Sequence, residues 1–188
     1  MTHGLTGGFA APAVEAAATF RAVLQAMARP GRIERVRGAA PPPPCSPAAG
    51  AVLLTLVDAD TPLHLAGRHD GEALRAWARF HTGAPLVGPG EAAFALGEWA
   101  ALGPLDAYRQ GTPEHPDRSA TLIVETARLA PAGARLTGPG VRDVAALSLP
   151  EIAAFARNAA RFPLGLDFIL TAGDRLAALP RSARVEAG

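Results

Sequence analysis

The chain has 188 residues, a formal net charge of +1 and an aromatic content of 5%. That length suits one domain with a real core, while the near-neutral charge and scarce aromatics give nucleic acid neither an electrostatic footprint nor a stacking surface. No apolar run reaches membrane-spanning length, no signal pattern opens the chain, and the single Cys45 has no internal disulfide partner, so the expected setting is the cytoplasm.

All 18 basic residues of the Lys+Arg count are arginine. Codon bias explains this simply, but the chemical consequence stands either way. There is no lysine to form a Schiff base and none for a Walker motif. Phosphate, if bound, must be held by arginine and backbone N–H groups.

Residues 1–11 are glycine-rich and expected to be mobile. A helix is predicted over Pro12–Ala28, with Ala13, Ala17, Phe20, Leu24 and Met27 on one stripe. Arg21, Gln25 and Arg29 make a second row, a solvated face or an anion contact. Pro30-Gly31 ends the helix, and Ile33–Val36 alternates as a short, edge-type strand.

Ala39 to Pro47 is a linker or rim loop, stiff and partly polyproline-like. Ser46-Pro47 then starts an element, AAGAVLLTLV, that is apolar all round; the cap favours helix over strand. Asp58 and Asp60 belong to a turn, since a calcium loop would need a glycine and a distal glutamate that are missing. A strand, PLHLA, follows. Asp70 is expected to cap a helix reaching Phe80, with Ala73, Leu74, Trp77 and Ala78 inward. His81 falls in its last turn, before Gly83 and Pro85. There it serves the helix C-terminus, or acts with Arg79 on an anion or a proton.

A weak strand is predicted at Ala92–Leu96, a poor helix at Leu102–Tyr108 and a polar loop at Gln110–Arg118. Clear strands follow at Ser119–Thr126 and Ala134–Thr137. The turn Gly138-Pro139-Gly140 is a plain turn or a poor phosphate cradle, since Pro139 lacks a donor. Ser148-Leu149-Pro150-Glu151 has the form of a capping box for a helix to Arg161 that buries Ile152, Phe155, Ala156 and Ala159.

Leu166–Thr171 and the apolar run Leu176–Leu179 flank Gly173-Asp174 and are expected to form a β-hairpin. The first of the two should be a central strand covered on both faces. Asp167 interrupts it, so this carboxylate lies at the strand's exposed end, pairs with an arginine, or belongs to a site. Helices alternating with strands give an α/β fold, a mixed β-sheet flanked by helices. A nucleophile elbow is absent, the five histidines form no HExxH or HxH pair, and no metal is expected.

FRAVLQAMARPGRI (Phe20 to Ile33), LLTLVDADTPLHL (Leu53 to Leu65), RFHTGAPLV (Arg79 to Val87), SATLIVE (Ser119 to Glu125), LTGPG (Leu136 to Gly140) and FPLGLDFILTAGDRLAALPRS (Phe162 to Ser182) occur in this order. Together they resemble the PhnH subunits of the bacterial carbon–phosphorus lyase machinery. The resemblance covers nearly the whole chain, residues 1–188, as one domain of that type. It implies a fold similar to the large domain of pyridoxal-phosphate-dependent transferases, without the cofactor. It implies a homodimer that joins a core complex with G, I and J subunits, where ATP and a phosphonate yield a ribose alkylphosphonate triphosphate before another subunit breaks the C–P bond. Three roles remain open: a docking subunit, a pocket for a phosphonate or an ATP-derived ligand, and an independent enzyme. For the pocket, the expected ligand residues are Arg79, His81, Asp167 and Arg181, which occupy the most distinctive motifs.

Overall fold

The computed structural model describes residues 5–188; expectations for residues 1–4 lie outside them. Its main sheet has six strands in the order β1 (Ile33–Arg35), β8 (Arg175–Leu179), β7 (Asp167–Ala172), β4 (Thr121–Glu125), β3 (Phe94–Glu98), β2 (Leu63–Leu65). β2, β3, β4 and β7 run parallel, and β8 and β1 complete the sheet antiparallel. A second, antiparallel sheet of three strands has the order β6 (Ala145–Leu147), β5 (Ala134–Thr137), β9 (Arg184–Glu186). The helices are α1 (Pro12–Ala28), α2 (Pro47–Leu56), α3 (Glu72–Thr82), α4 (Trp99–Leu102) and α5 (Ile152–Ala159). A mixed sheet flanked by helices is therefore what the sequence pattern describes.

The continuous apolar strands follow from cover on both faces. Ile123 and Ile169 point to the side of α1, α2 and α3, where Val23, Leu53 and Trp77 join them in one core. Leu122, Val124, Phe168 and Leu170 alternate to the other side and pack with Phe155 of α5 and with Leu136, Leu147 and Val185 of the small sheet. The β7–β8 hairpin turns at Gly173, whose φ of +59° suits a residue without a side chain. Among the described residues, no helix is long and apolar enough to cross a membrane.

Several local expectations need correction. In α1 the stripe Ala13, Ala17, Phe20, Leu24 faces outward, with Phe20 46% and Leu24 50% exposed. The buried face is Thr19, Ala22, Val23 and Ala26, small residues that let the helix lie close to α2 and β8. Hydropathy alone favoured the larger side chains. Asp70 does not cap α3: the N-cap is Gly71, and the Asp70 carboxylate pairs with Arg75 instead, while Ala73 is exposed. The Ser148 box also fails, because α5 begins only after Glu151. Ser148 Oγ accepts from the Ala130 N–H at 2.9 Å and so ties down a loop. The weak strand is shifted to Phe94–Glu98 and is central, and β6 and β9 were too short to show a period.

Residues 5–11, whose glycines suggest mobility, lie as a strap across α3. The Thr6 carbonyl accepts from Trp77 Nε1 at 3.0 Å, and the Gly7 carbonyl accepts from the Ala40 N–H at 2.8 Å. A Cβ on Gly7 would stand 2.1 Å from the Ala40 carbonyl oxygen, at a φ of +91°. Gly7→Ala is expected to detach the strap at a cost of about 1–3 kcal/mol. Red-shifted Trp77 emission with a lowered denaturation midpoint is the expected result; an unshifted spectrum contradicts it.

Candidate functional site

The four residues singled out from the sequence fall into two pairs. Asp167 opens β7 and Arg181 follows β8, so the hairpin brings them together. Arg181 donates through Nε to Asp167 Oδ1 at 3.1 Å, through Nη2 to Oδ2, and through its backbone N–H to Oδ1 at 2.8 Å. Its Nη1 donates to the Pro116 carbonyl at 2.6 Å. The guanidinium is thus committed on three nitrogens within the protein, and the interruption at Asp167 is explained by an arginine partner.

Arg79 and His81 lie in the last turn of α3. His81 Nε2 lies 3.0 Å from the Leu5 carbonyl, and its ring lies 4.9 Å from Trp77 and 5.0 Å from Phe80. It holds the strap. Arg79 is exposed; its carbonyl accepts from the Gly83 N–H at 3.0 Å, and among the described residues no hydrogen bond or ion pair engages its side chain. After α3 the chain returns to Leu63, the first residue of β2, by a parallel bridge from Leu86. Both pairs therefore sit at the edge where parallel strands begin, with β3 and β4 separating β2 from β7. Ligands of open α/β sheets bind at the opposite edge, beyond the carboxyl ends, where neighbouring connections leave on opposite faces.

That opposite edge carries a cluster that the linear sequence does not show. The connection after β2 goes to the face of α1 to α3, while Trp99 and Leu102 after β3 go to the other. Glu98, Glu125 and Thr171 are register partners on β3, β4 and β7. Arg68, just after β2, bridges to Glu98 across the strand ends. Beneath this exposed pair is Glu125, only 9% of whose side chain is exposed. Glu125 accepts from the Ser46 N–H at 2.6 Å and from Thr171 Oγ1 at 3.1 Å.

Ser46 explains how the cluster is built. As expected it caps α2, with Oγ accepting from the Ala49 N–H at 3.1 Å. The Ala48 N–H reaches the Gly173 carbonyl at 2.9 Å, which fixes the start of α2 beside the β7–β8 turn. The donors at the start of α2 are thereby taken by the protein itself, and the Glu125 carboxylate occupies the place an anion would take.

His69 lies fully buried beside this carboxylate, Nε2 3.9 Å from Glu125 Oε1, and both ring nitrogens lack a hydrogen-bond partner. Burial, reinforced by the Arg68 charge, lowers its pKa and keeps the ring neutral. Burial also raises the pKa of Glu125, against the opposing hydrogen bonds from Ser46 and Thr171. The two groups stand 3.9 Å apart with no hydrogen bond between them, so the imidazole is packed against the carboxyl group rather than placed to pass it a proton. Cys45 is buried nearby, and desolvation with the adjacent Glu125 charge pushes its thiol well up, so it is no nucleophile. Among the described residues no group of three or more His, Cys, Asp or Glu can hold a metal.

The family model for the bacterial phosphonate metabolism protein PhnH matches residues 7–186. The chain is 41% identical, over 191 aligned residues, to the alpha-D-ribose 1-methylphosphonate 5-triphosphate synthase subunit PhnH of Rhizobium meliloti (strain 1021), covering 96% of this chain and 95% of that protein. It is 31% identical, over 177 residues, to the putative C-P lyase subunit protein HtxG of Stutzerimonas stutzeri, covering 88% of this chain and 83% of that one. Since the match runs from the strap that lies on α3 to the last strand of the small sheet, the chain belongs to the PhnH family of bacterial phosphonate metabolism proteins.

Proposed function

We propose that this chain is the PhnH-type subunit of a carbon–phosphorus lyase assembly that makes ribose 1-methylphosphonate 5-triphosphate during phosphonate breakdown, and that its main contribution is docking. The carrying observation is the 41% identity, end to end, with a named subunit of that synthase. The outward stripe of α1 agrees: Phe20 and Leu24 are about half exposed and Val14 is 71% exposed, an apolar face suited to cover by another protein. In this reading the chain forms a homodimer when alone and associates with G-, I- and J-type subunits in the complex. Its fold is a pyridoxal-phosphate-transferase-like frame without the cofactor, consistent with a sequence that holds no lysine.

Co-expression with tagged G-, I- and J-type subunits tests this directly. The chain is expected to co-purify in fixed stoichiometry and to restore growth on methylphosphonate to cells lacking their own H subunit. Elution free of the other subunits, together with failure to restore growth, would reject the assignment. Sedimentation of the isolated chain reads the dimer.

A further inference from the structure

A cleft of about 600 Å3 lies on the face of the sheet away from α1 to α3, between α5 and the segment from Trp99 to Gln110. Trp99 forms one wall. Its indole stacks on Phe155 at 4.6 Å and 22°, and Nε1 donates to Glu151 Oε2 at 3.1 Å, which locks the ring in place. Asn158 lines it as well; its amide oxygen accepts from the Leu166 N–H at 2.8 Å and one of its two amide N–H groups donates to the Leu166 carbonyl at 2.9 Å, which fixes the side chain. The rim carries two arginines four residues apart. Arg157 pairs with Glu151 at 3.3 Å, and Arg161 pairs with Asp106 at 2.6 Å and donates to Gln110 Oε1 at 3.2 Å.

We propose that this cleft binds a nucleoside phosphate, with the base against Trp99 and the phosphate on Arg157 and Arg161. The volume falls within the range of small-molecule sites. A fixed, partly buried indole offers a π-surface to any planar base. The two guanidiniums offer planar forks, which suit phosphate oxygens better than point charges do. Their present carboxylate partners do not block this. The Arg157–Glu151 side chains are 70% and 50% exposed, and those of Arg161–Asp106 44% and 74%. Pairs this exposed contribute little to stability, so a phosphate dianion exchanges with the carboxylates, which turn back to water. The binding site is separate from the docking role and does not rest on it.

Calorimetry of the full chain with AMP, adenosine and ribose 5-phosphate tests the proposal. AMP is expected to bind saturably at one site per chain, at least about tenfold more tightly than either fragment, because base and phosphate both contribute. Arg157→Ala with Arg161→Ala should weaken AMP at least about tenfold and leave the melting midpoint nearly unchanged. Arg157→Gln alone, at a mostly exposed position, should weaken it about threefold and keeps the test decisive if the double variant misfolds. Absence of AMP binding at millimolar concentration, ribose 5-phosphate binding as tightly as AMP, or an AMP affinity indifferent to both arginine variants would each overturn the proposal. Failure of the chain to join its complex while AMP still binds counts against docking alone.

Discussion

Arg181→Ala is expected to destabilise the protein by about 2–4 kcal/mol. The side chain is 13% exposed and Asp167 22% exposed, so water only partly compensates when the pair is broken. Removing the guanidinium leaves the Asp167 carboxylate with the Arg181 backbone N–H as its remaining donor and strips the Pro116 carbonyl of its partner at 2.6 Å. A fully buried pair would lose more, about 3–5 kcal/mol, and the residual exposure reduces that. Asp167→Asn should cost less, about 1–2 kcal/mol, because an amide oxygen still accepts from Nε and from the backbone. Lys at position 181 should not rescue, since one ammonium cannot replace donors directed at two carboxylate oxygens and a carbonyl.

This expectation decides what the pair is for. A guanidinium held open for a phosphate would be dispensable for stability, and its alanine variant would melt like the parent. Urea denaturation reads the difference, and a midpoint within experimental error of the parent would return Arg181 to the list of ligand residues. Growth assays on Arg181 variants must be normalised to folded protein, because a lost clamp and a lost ligand look the same in a cell.

The hairpin was legible because its signal is local: two apolar runs, a Gly-Asp turn and one misplaced carboxylate. The cap at Ser46 and the buried, all-apolar α2 were legible for the same reason. The cluster around Glu125 was not. Glu98 and Glu125 are 27 positions apart in sequence and become neighbours only through the register of β3 and β4. The single available hint was that FALGE and TLIVE each end an apolar strand in glutamate. His69 carried no signal at all, since its meaning comes from burial without a hydrogen-bond partner. The failed α1 stripe has a different cause. Hydropathy marks faces that need cover but does not say whether the sheet or another protein provides it.

Glu125→Ala is expected to cost about 2–4 kcal/mol, because it leaves the Ser46 N–H without an acceptor and Thr171 Oγ1 with only a long contact to the Val124 carbonyl, at 3.5 Å. Glu125→Gln separates the charge from these hydrogen bonds, since an amide oxygen still accepts from Ser46. The sign of its pH dependence follows from burial. A carboxyl whose folded pKa is raised binds its proton more tightly in the native state than in the unfolded chain. Its contribution to stability is complete below the ordinary glutamate range and declines as pH rises from there through the folded value. The glutamine variant has no such decline, so it should gain on the parent as pH rises and then run level with it. His69 works the other way: its folded pKa is lowered, so charging it penalises the native state as pH falls below the ordinary histidine value. His69→Asn should therefore gain on the parent as pH falls. Thermal denaturation of parent and both variants between about pH 4.5 and 8 reads two differences of opposite slope. Parallel curves would show that neither Glu125 nor His69 has a pKa that differs between the folded and unfolded states, and would refute the burial-driven shifts at the carboxyl-end cluster.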